Sequence, residues 1–157
     1  MAMTQEKGRF NKKDALAVAE KIARKFGEPH PHLPKILEVI VFGSTARVAG
    51  DVVGDLDMVV FAEFTDDPKC RLTNLTNRLE EIEAELKREG VTVMPVDFLP
   101  LPTWYFTDTE VRDVYRRTMK DPNHVEKILS DYLRWDSSLG RFVRADLAYL
   151  KSKHLPS

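Results

Sequence analysis

The 157-residue chain has a single cysteine, Cys70, so no disulfide can form within it. It has no apolar run near the roughly 20 residues that a membrane-spanning helix needs. No signal-like hydrophobic segment follows the polar start from Met1 to Asp14, and with the lone thiol this predicts a cytoplasmic protein. An excess of either charge is missing too. The 24 Lys and Arg nearly cancel 25 Asp and Glu, and a net charge of -1 argues against holding nucleic acid by bulk electrostatics. Internal repeats and low-complexity stretches are absent. What is present is a globular balance, 43% hydrophobic and 31% charged residues. At this length folding buries about 70% of the extended chain's surface, enough for one domain with a true core.

Hydrophobic spacing predicts a helix over Asn11 to Phe26. Ala15, Val18, Ala19, Ile22 and Phe26 recur at three- and four-residue steps, Asn11 and Asp14 suit its start, and Gly27 can stop it. Three prolines mark Glu28 to Pro34 as a loop. Ile36 to Phe42 is apolar and β-branched and reads as a strand. Gly43-Ser44 then turns the chain, with a short helix expected over Thr45 to Val48 and a loop over Ala49 to Gly54. Asp55 to Phe61 reads as a second strand. Asp66-Asp67-Pro68 announces a helix whose apolar stripe is Leu72, Leu75, Leu79, Ile82 and Leu86. Val91 to Leu99 reads as a third strand. Beyond Leu101-Pro102 the pattern reads as helical. Val111 and Tyr115 share one face of a first helix, Val125, Ile128, Leu129 and Tyr132 one face of a second, and a third helix is expected over Phe142 to Leu150. The predicted organisation is a core over residues 1–102 and a helical extension over 103–157.

Chemistry concentrates at three carboxylates. Asp55 and Asp57 are two apart at a strand start, so alternation sends both to one face, roughly 7 Å apart along the backbone. Carboxylates that close repel unless a cation or proton lies between them, and oxygen ligands of this kind suit Mg²⁺. Asp97 interrupts an otherwise apolar strand. Beside the Asp55 strand it reaches the same cation; on an edge strand, which Pro95 allows, it points to solvent. Gly43-Ser44 closes an apolar strand and opens a turn whose free N–H groups suit phosphate oxygens. Arg47 follows one turn later.

Gly43-Ser44-Thr45-Ala46-Arg47, ten residues between Ser44 and Asp55, Asp55-Leu56-Asp57 and then Asp97 form an ordered set. It resembles the minimal nucleotidyltransferases of the DNA polymerase beta-like nucleotidyltransferase superfamily. Their pattern is Gly-Ser-x-Ala-Arg-Gly, a loop, Asp-x-Asp and a third Asp. The resemblance spans about residues 11–100. It departs from the pattern at Val48, where the family has glycine, and at Gly54, where Ser or Thr is usual.

The resemblance implies an α/β fold: a small mixed β-sheet nucleotidyltransferase core with flanking helices and the helical C-terminal extension. It implies a nucleoside triphosphate, with ATP the expected donor, and two Mg²⁺ ions. Asp55 and Asp57 would hold both ions, and Asp97 would hold the catalytic one and help deprotonate the attacking hydroxyl. Ser44, the Gly43 backbone and Arg47 would grip the β- and γ-phosphates. The nucleoside monophosphate would pass to a hydroxyl of a protein or small molecule, with release of pyrophosphate. Small relatives include antitoxins that modify a HEPN-type toxin, so such a protein is an expected partner; no membrane is. The alternative is a catalytically silent nucleotide- or protein-binding module of the same fold.

Other features have plainer readings. His30-Pro31-His32 invites zinc but has no second ligand pair, and a loop is expected. Cys70 reads as a structural thiol. Trp104-Tyr105-Phe106 is expected to anchor the C-terminal helices on the sheet rather than stack on a base. Arg112, Arg116 and Arg117 read as a solvated face, with a polyphosphate or RNA contact as the alternative. Glu80, Glu81, Glu83 and Glu85 read as the wet side of their helix.

Overall fold

A computed structural model describes residues 10–47, 52–63, 72–117 and 120–155. Helix α1 (Lys12–Phe26) starts where Asn11 Oδ1 accepts from the Lys13 and Asp14 N–H groups, at 2.7 and 3.4 Å. Such a cap stabilises a helix by about 1 kcal/mol. Strand β2 (Lys35–Phe42) leads into a 3-10 turn over Gly43–Thr45. Strand β4 (Leu56–Glu63) follows, then helix α2 (Leu72–Arg88) and strand β5 (Val96–Pro102). Two short strands, β1 (Phe10–Asn11) and β3 (Val52–Val53), pair with each other outside the main sheet.

Among the described residues the main sheet has five strands, the other two being β6 (Tyr132–Asp136) and β7 (Arg141–Ala145), in the order β5-β4-β2-β6-β7. Strand β4 pairs antiparallel with β2 and parallel with β5, so the sheet is mixed. Alternation sorts its residues into two cores. Val39, Val41, Leu56, Met58, Val60 and Ala62 face α1 and α2. Ile40, Phe42, Val59 and Phe61 face the other way. That side is covered by α3 (Trp104–Thr107), α5 (His124–Leu129) and α6 (Leu147–His154), through Tyr105, Ile128, Leu129 and Leu150. Helix α4 (Thr109–Arg117) docks by the Tyr115 hydroxyl, which donates to Pro100 O at 2.9 Å. The architecture is therefore α/β, three layers deep, with helices on both faces.

Several sequence expectations need correction. The extension after residue 102 is not only helical. Residues 132–136 and 141–145 form a hairpin that pairs with β2 through Ile40↔Arg134 and Val41↔Leu133, so the extension completes the core sheet as well as packing on it through α3, α5 and α6. Tyr132 is a strand residue, and so is Phe142. The turn between them uses Gly140 at φ +68°, with its N–H on Asp136 O at 2.8 Å. Strand β5 begins at Val96, not Val91, and runs on through Pro102. Prolines are tolerated there because β5 is an edge. Pro100 O accepts from Tyr115 and so points away from β4, as does the missing N–H of the same residue. Val52–Val53 is a short strand where a loop was expected. The expected short helix falls on the 3-10 turn at Gly43–Thr45, with Val48 outside the described residues. The loop reading over 49–51, the helix start at Asp66-Asp67-Pro68 and the Cys70 reading also lie outside them.

Two of the acidic residues on α2 are not simply wet. Arg78 is buried and bonds Glu81 at 3.2 Å, Glu85 at 3.0 Å and Lys25 O at 3.2 Å. Lys25 adds Glu85 at 3.1 Å and Glu89 at 3.0 Å, joining the ends of α1 and α2. The Lys25 ammonium is held above its ordinary pKa by hydrogen bonds to Glu89 and then Glu85.

Candidate active site

The end of β2, the start of β4 and the start of β5 lie side by side. Phe42 pairs with Asp57, and Asp57 pairs with Asp97 across the parallel β4–β5 ladder. Directly paired residues share a face. Asp57 therefore lies on the Phe42, Val59 and Phe61 side of the sheet, and Asp97 lies beside it. Asp55 is exposed just ahead of β4, and Asp57 is half-buried beyond the fully buried Leu56. Asp97 is exposed on the edge strand and also beside Asp57, so both readings of its place hold in part. The start of β5 is fixed to β4 by the Leu56 N–H, which donates to Pro95 O at 2.9 Å.

Gly43 is built into this site. Its φ is +70°, a conformation that side chains disfavour. A Cβ there would overlap Asp57 Oδ2 and stand 3.1 Å from Asp57 Cγ. The turn backbone thus lies directly against the carboxylate. The Ala46 N–H closes the turn on Gly43 O at 3.1 Å. Ser44 is half-buried in the turn, and Arg47 emerges exposed just after it.

Asp57 is the electrostatic centre. Its carboxyl is pushed up to about 6 from 3.8, first by burial, then by the charges of Asp97 and Asp55 and a hydrogen bond with Asp97. Arg47 opposes the shift but does not cancel it. Like-charged carboxylates crowded in this way hold a proton or a cation between them. The structure brings Gly43, Asp57 and Asp97 into contact, with Asp55 and Arg47 close enough to act on Asp57 through space. Among the described residues no three His, Cys, Asp or Glu side chains form a ready-made metal cage. The donor set nonetheless suits a hard divalent cation: all oxygen, anionic, and with one member already destabilised as an anion.

The raised Asp57 has a direct consequence for stability. The folded state keeps this proton up to about pH 6, whereas the unfolded chain releases it near 3.8. Protons therefore favour folding in that window, and the contribution is lost as pH rises through about 6. In EDTA, the melting temperature of the native protein relative to Asp57→Asn is expected to fall by about 2–4 °C between pH 5 and pH 7. A constant difference across that range would remove Asp57 from the carboxylate cluster.

The remaining sequence candidates lie elsewhere. Tyr105 is fully buried, and Phe106 packs edge-on against Phe61 at 5.9 Å, so Tyr105 and Phe106 anchor α3 on the sheet. Arg116 is turned inward, to Glu126 at 2.9 Å and the Tyr105 hydroxyl at 3.3 Å, rather than forming part of a solvated face. His30 bonds Glu81 at 3.2 Å, and its ring is 6.0 Å from that of His32. A cavity of about 410 Å³ opens at the opposite end of β2, between Phe26, Leu33, Ile36 and Trp135, away from the carboxylates.

Two polar groups went unread in the sequence. Glu38 is 3% exposed and accepts from Arg134 Nε at 3.1 Å, with His154 Nε2 against its other oxygen. Arg144 on β7 donates to Ala46 O at 2.5 Å and to Asp131 at 2.7 Å. For Glu38 a charged residue at an inward strand position is the signal, and it becomes visible only once the strands are placed; Arg144 is exposed, and the sequence carries no signal for it.

No family model matches this chain, and no curated protein matches it. The functional reading rests on the chemistry of the site. No helix among the described residues is long and apolar enough to cross a membrane.

Proposed function

We propose that the protein is a Mg²⁺-dependent nucleotidyltransferase that moves a nucleoside monophosphate, with ATP as donor, to a hydroxyl of a protein or small molecule. The observation that carries this reading is the pairing of Asp57 with Asp97 directly beneath the Gly43 turn. An anion-binding turn and a carboxylate pair with unrelieved charge are complementary to a metal–polyphosphate, whose cation meets the acids while its phosphates meet the turn. The sequence resemblance supports the same reading, including a HEPN-type protein as one class of acceptor.

Asp55, Asp57 and Asp97 would hold the metal, which supplies charge neutralisation at the transferring phosphorus and activation of the attacking oxygen. The turn's N–H groups and the Ser44 hydroxyl donate to phosphate oxygens. Arg47 adds a cation on the solvent side. Asp97, exposed at the sheet edge, is the carboxylate open to an incoming hydroxyl and takes its proton. Asp57, wedged between Gly43 and Asp97, has no room for that role and holds position.

Calorimetry with ATP tests the reading. Affinity is expected to rise at least tenfold when Mg²⁺ replaces EDTA, and indifference to Mg²⁺ would sink it. Ser44→Ala is expected to weaken Mg²⁺-ATP binding several-fold, since one neutral hydrogen bond contributes about 0.5–1.5 kcal/mol. Pyrophosphate released in the presence of hydroxyl acceptors separates a transferase from a silent binder.

A further inference from the structure

Arg144 crosses 98 residues of sequence to reach the turn at the proposed site. Its Nη2 donates to the carbonyl of Ala46, the residue that closes the 3-10 turn through its own N–H. That carbonyl is one of the acceptors a helical turn leaves unpaired at its end, and a cation is the favoured partner there. The other guanidinium nitrogen is held by Asp131, so the fork is fixed at both tips.

The direction of approach sets its role. Arg144 pairs with Leu133, and Leu133 pairs with Val41. All three therefore share the face covered by α1 and α2, where Val41 and Leu133 pack. Asp57 and Phe42 lie on the opposite face. Arg144 thus reaches the turn from behind, through backbone, and away from the carboxylates.

We propose that Arg144 is a positioning residue. It locks the Gly43–Arg47 turn to the β6–β7 hairpin, so that the turn's N–H groups and Arg47 are set for polyphosphate before it arrives. This rests on the nucleotidyltransferase reading for its ligand, but not for the lock itself. Preorganised donors spare the ordering cost that a loose turn pays on binding. Asp131 steers Arg144 and does not touch the turn, so its loss should matter less.

The test compares Arg144→Met, Arg144→Lys and Asp131→Asn with the native protein by amide hydrogen exchange and by calorimetry with Mg²⁺-ATP. In Arg144→Met, the amides of residues 44–47 are expected to exchange about tenfold faster, with β2 and β4 unchanged, and Mg²⁺-ATP affinity to drop about tenfold. Arg144→Lys keeps one donor and should recover part of both effects; Asp131→Asn should stay within about threefold of native. Turn exchange at the native rate in Arg144→Met, or acceleration spread evenly over the sheet, would overturn the lock. Faster turn exchange with unchanged affinity would overturn the positioning role. A native protein that does not bind Mg²⁺-ATP would remove the nucleotidyltransferase reading, while the exchange comparison still decides whether Arg144 holds the turn.

Discussion

Asp97→Asn is expected to give a folded protein that still binds Mg²⁺-ATP but transfers roughly 10²–10⁴-fold more slowly, the range expected for loss of a general base. The substitution keeps the size of the side chain and deletes the charge nearest Asp57. Burial and then that charge are the first two causes of the raised Asp57 carboxyl. Removing Asp97 therefore relieves repulsion, and the variant should melt at or above the native temperature in EDTA. Asp97 is exposed on an edge strand, and asparagine keeps an oxygen and a donor for its hydrogen bond with Asp57. Three measurements on one protein thus separate chemistry from stability. Melting well below native in EDTA would mark Asp97 as a structural acid. Transfer near the native rate would remove it from the site.

The second large effect is expected at Gly43, with Gly140 as its control. Both glycines have φ near +70°, so alanine strains the backbone by about 1–2 kcal/mol at either place. Their surroundings differ. At Gly140 the nearest atom to a new Cβ is the flexible Arg24 Nη2 at 3.6 Å, ordinary contact. At Gly43 the new Cβ overlaps the Asp57 carboxylate, which is already wedged against Asp97. Gly43→Ala should therefore destabilise more than Gly140→Ala and also abolish Mg²⁺-ATP binding, whereas Gly140→Ala should bind like the native protein. Chemical denaturation and calorimetry read both. Equal losses of stability with binding intact in both variants would mean that the turn does not press on Asp57.

The legible parts of this molecule are those whose signal is local. Asn11, the stripe from Ala15 to Phe26 and Gly27 specify α1 almost to the residue, because cap, periodicity and stop agree. The stripe from Leu72 to Leu86 marks the body and the end of α2, while its expected start at Asp66-Asp67-Pro68 lies outside the described residues. The acids and the Gly-Ser turn stand out because short polar sets beside apolar strands are rare and their spacing is fixed. The strand at Tyr132 is hidden because Val125, Ile128 and Leu129 establish a helical period that Tyr132 continues by chance. The hairpin cues were nevertheless there: β-formers Tyr132, Trp135, Phe142 and Val143 flank Ser137-Ser138-Leu139-Gly140. The start of β5 is obscured because Val91 and Val93 have the residue type of a strand. Both instead pack beneath the end of α2, where the Val91 N–H donates to Leu86 O at 2.9 Å. The neighbours of each strand, which decide whether Asp97 meets Asp57 or solvent alone, are a property of topology and not of any short window.

The order of the sheet also sets a timetable. Strand β2 lies at its centre, yet its partner β6 and the Arg144 that pins its terminal turn come roughly a hundred residues later in synthesis. At ribosomal rates of about 5–20 residues per second, that is about 5–20 s during which one side of β2 is an open ladder. Its apolar run from Val39 to Phe42 would meanwhile be an aggregation-prone edge. Non-local pairing of this kind also slows refolding. Nascent chains halted before residue 132 should therefore be caught by chaperones that bind extended apolar segments, and chains reaching residue 145 should be released from them.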